Sequence, residues 1–137
     1  MKREIKFRGK STDTRKWIYG FLSFFYTAGR DENGLILTDK AKIYSPEDCQ
    51  CDDVWAETVG QFTGLCDKDE KEIYEGDILM CEQHIALVLW NKELATFALQ
   101  FDFEKKVGMR PLGEWHAMTV VSNIHDNPNL LKENSHK

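Results

Sequence analysis

The chain has 137 residues, of which 42% are hydrophobic and 30% are charged, and its net charge is −5. This length fits one domain, or one barrel with an N-terminal extension that shares its core. The basic first ten residues contain no apolar signal region, and no run approaches the roughly 20 apolar residues that a membrane helix needs. We therefore expect a cytoplasmic protein that does not contact a membrane.

The charge is unevenly distributed along the chain. Residues 1–16 hold seven bases against two acids, whereas residues 45–82 hold twelve acids against two lysines. Such an asymmetry can orient a partner, or a second copy of the chain, as it approaches. The solvent-facing sides of ordinary strands and loops produce the same pattern, so both interpretations stay open.

The first third of the chain is predicted to be a meander of antiparallel strands. Residues 4–8 alternate between apolar and charged side chains, as a half-buried strand does. Residues 17–27 are dense in aromatics and long enough for a strand bent at Gly20. Asn33-Gly34 is the strongest hairpin signal in the chain.

Two short return strands, residues 35–38 and 41–44, are expected after this hairpin. The polar connection at residues 45–53 contains Pro46 and marks the predicted subdomain boundary. We therefore predict an N-terminal meander subdomain over residues 1–50.

The chain is organised around residues 58–79, TVGQFTGLCDKDEKEIYEGDIL, in which two apolar arms flank a charged turn. Gly60 and Gly64 predict a bulge or bend in the first arm, and Gly76 predicts a tight turn after the second. Strong curvature in short strands indicates a small barrel rather than a flat sheet.

The remaining chain also reads as short strands. They are expected at residues 77–82, 85–90, 96–103 and 119–125, with an exposed loop at 104–113. A single helical turn is expected around Pro128. The barrel subdomain is predicted to span residues 51–131, followed by a loose tail at residues 132–137.

The central stretch resembles the signature of the YopX family, small proteins encoded by bacteriophages and prophages. The similarity extends to IKFRGK and KWIYGFL near the start, to the apolar run that ends at Trp90, and to VVSNIHDNPNLL near the end. The resemblance implies a mainly β fold, an antiparallel meander packed on a small SH3-like barrel with minimal helix. It also implies a phage or prophage origin and a tendency to self-associate, and it supplies no activity or catalytic residues.

The chain departs from this family at the tip of the central hairpin. Family members often have Asn-Gly where this chain has Asp69-Glu70. Glutamate tolerates positive φ poorly, whereas Asn-Gly is the favoured pair of a two-residue turn. We therefore expect a wider or less ordered tip.

No reaction centre is recognisable, and we predict no catalytic residue, no metal site and no cofactor. Structural zinc sites use cysteine pairs separated by two to four residues, and this chain has only one Cys-x-Cys among its four thiols, Cys49, Cys51, Cys66 and Cys81. We expect reduced thiols, two of them facing the core. Cys81 and His84 would lie on opposite faces if one strand continued through both.

The acids of the central stretch do not match known sites either. A calcium loop that began at Asp67 would need glycine in place of Glu72 and glutamate in place of Ile78. Asp77 is expected to hold a turn. The four histidines are scattered, without a nucleophile context, and no glycine-rich phosphate loop is present, so we predict that the protein is not an enzyme.

Basic and aromatic residues are mixed near the N-terminus, as in platforms that bind single-stranded nucleic acid. The candidate interaction residues are Arg8, Arg15, Lys16, Trp17 and Tyr19. The aromatics of residues 17–26 occupy both odd and even positions, so at least half are expected in the core, and the stretch as a whole in the core or an oligomer interface. The pI near 5.4 is opposite to the basic character of most nucleic-acid binders.

These observations leave three hypotheses. The favoured one is a non-enzymatic phage accessory protein that forms a homo-oligomer, with a host protein as a further candidate partner. The second is binding of single-stranded nucleic acid through the basic N-terminal face, and the third is display of the acidic segment 45–82 to a host DNA-binding protein.

Overall fold

The computed structural model of the protein describes residues 4–82, 84–101, 110–111 and 117–130. The chain forms two compact units, residues 1–62 and 63–137. The predicted division into subdomains at residues 1–50 and 51–131 concerns independent folding, and it stays a prediction. None of the described segments forms a helix long and apolar enough to cross a membrane.

Strands make up 65% of the described residues and helix is almost absent from them, which confirms the mainly β fold with minimal helix. A short 3₁₀ helix, Ala56–Thr58, is the exception. The strands are β1 Phe7–Lys10, β2 Trp17–Asp31, β3 Gly34–Ser45, β4 Gln50–Trp55, β5 Gly60–Cys66, β6 Glu72–Tyr74, β7 Asp77–Cys81, β8 His84–Asn91, β9 Thr96–Phe101, β10 Arg110–Pro111 and β11 Thr119–Asn123.

The first unit is an antiparallel sheet in the order β4-β3-β2-β1-β5. One side of it is apolar, with Ala41, Ile43 and Val54 completely buried. Partly buried side chains pack around these three residues: Phe7, Ile18, Leu22, Phe25, Ala56 and Val59. We call this side of the sheet the core face, and the opposite side the outer face.

The hairpin predicted at Asn33-Gly34 joins β2 to β3, and Asp31 pairs with Gly34 across it. Glycine is needed here because the backbone of Gly34 has a φ of 115°, a conformation that strains other residues. The two return strands expected from the sequence are one continuous strand. Thr38, Asp39 and Lys40 interrupt the apolar pattern but stay in the sheet, because side chains near its exposed end need not be buried.

The second unit contains an antiparallel sheet in the order β10-β9-β8-β7-β11, together with β6 and the last four residues of β5. Within this unit the hydroxyl of Thr63 on β5 donates to the carbonyl oxygen of Ile73 on β6. Its core consists of Ile73, Leu79, Ala86, Val88, Leu99, Phe101, Met118 and Val120. Among the described strands this order is open, so the expected barrel does not close. Of the loop expected at residues 104–113 only Arg110 and Pro111 are described, and they form the edge strand β10; the tail 132–137 lies outside the described residues.

Candidate functional site

The outer face of the first unit carries an unusual concentration of aromatic residues. Trp17, Tyr19 and Phe21 alternate along β2 with core-face neighbours and point outward together. Phe21 pairs across the sheet with Tyr44, and Phe24 pairs with Lys42, which places Phe24 on the same face. The whole row is Trp17, Tyr19, Phe21, Phe24 and Tyr26, and we call it the aromatic stripe.

The expectation that at least half of these aromatics lie in the core is wrong, and a β-bulge is the reason. The register between β2 and β3 shifts between Leu22 and Phe24, so Ser23 is an extra residue. One extra residue reverses the alternation of the side chains that follow. Phe24 therefore rejoins the face of Phe21, and only Phe25 packs on the core.

Three rings of the stripe are open to solvent. Tyr19 is 47% exposed, Phe21 is 52% exposed and Phe24 is 48% exposed. Trp17 and Tyr26, at the two ends, are half-buried. Phe24 and Tyr26 meet edge to face, with ring centroids 5.1 Å apart, which fixes the orientation of both rings.

Cations flank the stripe on both sides. On β1, the guanidinium of Arg8 lies 4.5 Å from the ring centroid of Trp17, and the ammonium of Lys10 lies 5.5 Å from it. On β3, the ammonium of Lys42 lies 5.7 Å from the ring of Tyr26, and that of Lys40 lies 6.0 Å from the ring of Trp55 on β4. Each contact is within the range at which a cation is attracted to an aromatic face. We call Arg8, Lys10, Lys40 and Lys42 the flanking cations.

Asp53 is the carboxylate that faces the flanking cations from β4. It accepts a hydrogen bond of 2.8 Å from the hydroxyl of Tyr26, and its Oδ1 lies 3.5 Å from the ammonium of Lys42. The Tyr26 hydrogen bond, together with the charge of Lys42, holds the pKa of Asp53 below its usual range. The same hydrogen-bonded cluster with Tyr26 and Asp53 raises the pKa of Lys42, so both groups stay charged at neutral pH.

The structure brings together three of the five predicted interaction residues. Arg8 pairs directly with Tyr19, and the guanidinium of Arg8 stacks on Trp17. Arg8 is only 5% exposed, so it contributes its charge to the face rather than an accessible side chain. Arg15 and Lys16 lie in the exposed turn before β2, where Arg15 has a φ of 63°.

The other members of the site are not among the interaction residues predicted from the sequence. Phe24 and Tyr26 belong to the stripe only because of the bulge at Ser23, which has no composition signal. Lys40 and Lys42 reach it through the pairing of β3 with β2. Alternation of aromatics at positions 17, 19 and 21 was the available signal for the first half of the stripe.

Two acids of the central stretch are structural. The buried carboxylate of Asp77 accepts the backbone N–H of Tyr74 at 2.7 Å, which confirms the turn role. Asp67 is also buried, and it accepts three backbone N–H groups, from Asp69 at 2.8 Å, Lys71 at 2.9 Å and Val120 at 2.9 Å. The acids of residues 45–82 are therefore not a single exposed row.

The thiols differ from expectation in one respect. All four cysteines are free, but three are exposed and only Cys81 packs against a core cluster. Cys81 and His84 are cross-strand partners of the β7–β8 hairpin and thus share a face, because the strand ends between them. Within the described part of the chain, no three histidine, cysteine, aspartate or glutamate side chains form a group that could hold a metal ion.

Comparison with known proteins places this fold in a family. The model of the YopX protein family matches residues 6–132, which is nearly the whole chain. The chain belongs to the YopX family. No curated protein sequence matches the chain.

A solved structure supports the fold of this YopX family member. The crystal structure of protein EF1440 from Enterococcus faecalis superimposes with a TM-score of 0.50 and is 25% identical in sequence. The alignment covers 95% of this chain and 99% of the other. The similarity therefore extends over both compact units and supports the β architecture described above.

Proposed function

We propose that this YopX family member is a non-enzymatic accessory protein of a bacteriophage or prophage that assembles with itself in the cytoplasm of a bacterial host. The phage or prophage origin is what the family resemblance of the sequence implies. Self-assembly is supported by one structural element, the far end of the β2–β3 hairpin. The observation that carries the proposal is the exposure of this element on both of its faces.

Residues 27–37, which we call the arm, extend past the neighbouring strands of their sheet. β4 pairs with β3 from Lys40 to Ser45, and β1 pairs with β2 from Trp17 to Gly20. The arm is therefore a two-stranded ribbon, and all of its residues except Gly34 are exposed. A ribbon of two strands is at best marginally stable alone in water.

The arm also presents apolar side chains to solvent. Leu35 is 55% exposed and Leu37 is 58% exposed, and both point to one side of β3, while Ile36 points to the other. Long apolar edge strands favour pairing with another chain. A second copy of the protein offers the same edge and the same side chains, so two arms can join in a symmetric interface.

Light scattering coupled to size exclusion tests this proposal. We expect the wild-type protein to have the mass of two or more 15.9 kDa chains. The double variant Leu35→Ser with Leu37→Ser should run as a monomer, because it removes the apolar contact without changing a buried residue. Leu94→Ser is the matched control, since Leu94 is 62% exposed but lies in the second unit, and it should keep the wild-type mass.

Two results would contradict self-assembly through the arm. One is a wild-type monomer at the highest concentration that the protein reaches. The other is a double variant that keeps the wild-type mass. A host protein bound to the arm would give a third pattern, in which a lysate pull-down by the wild type is lost in the double variant but not in Leu94→Ser.

A further inference from the structure

We propose that the aromatic stripe of the first unit binds single-stranded nucleic acid, with bases stacked on its exposed rings and phosphates near the flanking cations. This goes beyond self-assembly and uses different residues from the arm. The proposal depends on the geometry of the outer face, on its local charge, and on the exposure of Tyr19, Phe21 and Phe24.

The geometry suits a row of stacked bases. Outward-facing residues two apart along a strand are separated by about 7 Å, and the stripe from Trp17 to Tyr26 extends about 30 Å. Proteins that bind single strands without sequence preference use such rows of aromatic side chains, because every base has a flat π face. Half of the surface of Tyr19, Phe21 and Phe24 is available for this contact.

The local charge favours a polyanion although the whole chain is acidic. Four flanking cations lie on the outer face of β1 and β3, and one of them, Lys42, forms an ion pair with Asp53 of β4. The cations stand on both sides of the stripe, where the phosphates of a strand with its bases on the rings would run. The net charge of −5 repels a polyanion at long range. The contacts between the flanking cations and the phosphates weaken as salt rises, so we expect affinity to fall with increasing salt.

A single strand fits this face better than a duplex does. In a duplex the bases are stacked on each other and cannot cover protein rings, whereas a single strand can turn its bases outward. The ligand is therefore a single strand of DNA or RNA. Titrations with each of the two show which one the protein binds.

Fluorescence anisotropy with a labelled oligonucleotide of about 12 nucleotides tests the proposal, a length within the range that one small β domain covers. The probes are single-stranded DNA, single-stranded RNA of the same sequence, and the matching DNA duplex, all at low salt. We expect the wild-type protein to bind at least one of the single strands, and to bind it more tightly than the duplex.

The rings are tested by a triple variant, Tyr19→Ala with Phe21→Ala and Phe24→Ala. We expect it to lose about tenfold or more in affinity, since each lost stack weakens binding. The variant Tyr19→Phe with Phe21→Tyr and Phe24→Tyr keeps every ring and should bind as the wild type does. Trp90→Ala is the matched control, because Trp90 is 46% exposed on the second unit.

The cations are tested by the variant Lys10→Gln with Lys40→Gln, which leaves all rings of the stripe in place. The slope of log affinity against log salt should become shallower by about 0.7 for each cation removed. Circular dichroism of each variant shows whether the fold is kept. The lysine variant keeps the proposal testable if the triple alanine variant does not fold.

Three results would overturn the proposal. The first is no binding of either single strand by the wild type at low salt. The second is an equal loss of affinity in Trp90→Ala and in the triple variant. The third is a triple variant that falls in mass by light scattering but binds the oligonucleotide as the wild type does, which would make the stripe a protein interface.

Discussion

Asp67 holds the tip of the central hairpin to β11. One carboxylate oxygen accepts the N–H groups of Asp69 and Lys71, and the other accepts that of Val120, 53 residues away. Desolvation on its own would raise the pKa of this carboxyl, but the backbone hydrogen bonds, that of Val120 first, outweigh it and hold the pKa below its usual range. We expect Asp67→Asn to lower the free energy of unfolding by about 2 kcal/mol at neutral pH, because an amide cannot accept all three bonds.

The pH dependence of this loss has a definite sign. The contribution of Asp67 is complete above the ordinary carboxyl pKa of about 4 and is lost as the pH falls through the lower pKa of the folded state. Urea unfolding of the wild type and of Asp67→Asn should therefore give curves that converge below about pH 4. Asp69→Asn, an exposed substitution in the same turn, keeps the backbone N–H that Asp67 accepts and should leave the stability at neutral pH unchanged.

Glu70 occupies a strained position in the same tip. Its φ is 65°, in the left-handed region that favours glycine, and five residues separate β5 from β6. We expect Glu70→Gly to raise the free energy of unfolding by about 0.5–1 kcal/mol, since the relief of strain exceeds the entropy cost of glycine. Thermal unfolding of both variants measures this change, and Lys68→Gly, in the same loop, should be neutral or destabilising. A gain in stability for Lys68→Gly equal to that of Glu70→Gly would contradict the explanation.

The β2–β3 hairpin requires glycine at position 20 for a different reason. A Cβ atom added to Gly20 would collide with the backbone carbonyl oxygen of Tyr44. Backbone cannot move aside as a flexible side chain can, so Gly20→Ala should cost about 3 kcal/mol or more in unfolding free energy. Gly29→Ala meets no atom and strains only its own backbone, at a φ of 109°, so thermal unfolding should show a smaller loss.

Much of the strand pattern could be predicted from alternation and turn residues, as the Asn33-Gly34 hairpin and the strands on either side of Asp67 show. The sequence pattern predicts a polar connection where the first part of β4 lies. Residues 50–53 are polar, as in a loop, and form a strand only by pairing with β3. The second half of the aromatic stripe could not be predicted, since Phe24 and Tyr26 depend on a one-residue bulge at Ser23 that changes side-chain direction but not composition. Large aromatic residues are also usually buried, so a pattern analysis assigns them to the core.

The aromatic stripe lies on β2, and the arm runs from the end of β2 into β3. The two consist of different residues, so assembly and nucleic-acid binding can be separated by substitution. A particle joined through two arms carries two stripes. A nucleic-acid strand that reaches both is held at a high effective concentration after its first contact, and avidity can exceed single-site affinity by factors of about 10²–10⁴. The gain in affinity on a longer oligonucleotide should therefore depend on whether the protein is assembled.

We expect the wild type and the Leu35→Ser, Leu37→Ser variant to bind the short oligonucleotide equally well, because neither substitution lies in the stripe. On a strand several times longer, the wild type should gain about tenfold or more over the variant, because only the assembled protein has a second stripe to engage. Anisotropy titrations with both lengths measure this difference, with Leu94→Ser as the control that keeps the full gain. An equal gain in the arm variant would mean that the longer oligonucleotide makes its extra contacts with a single copy of the protein. No gain in any of the three proteins would mean that one strand cannot span the two stripes.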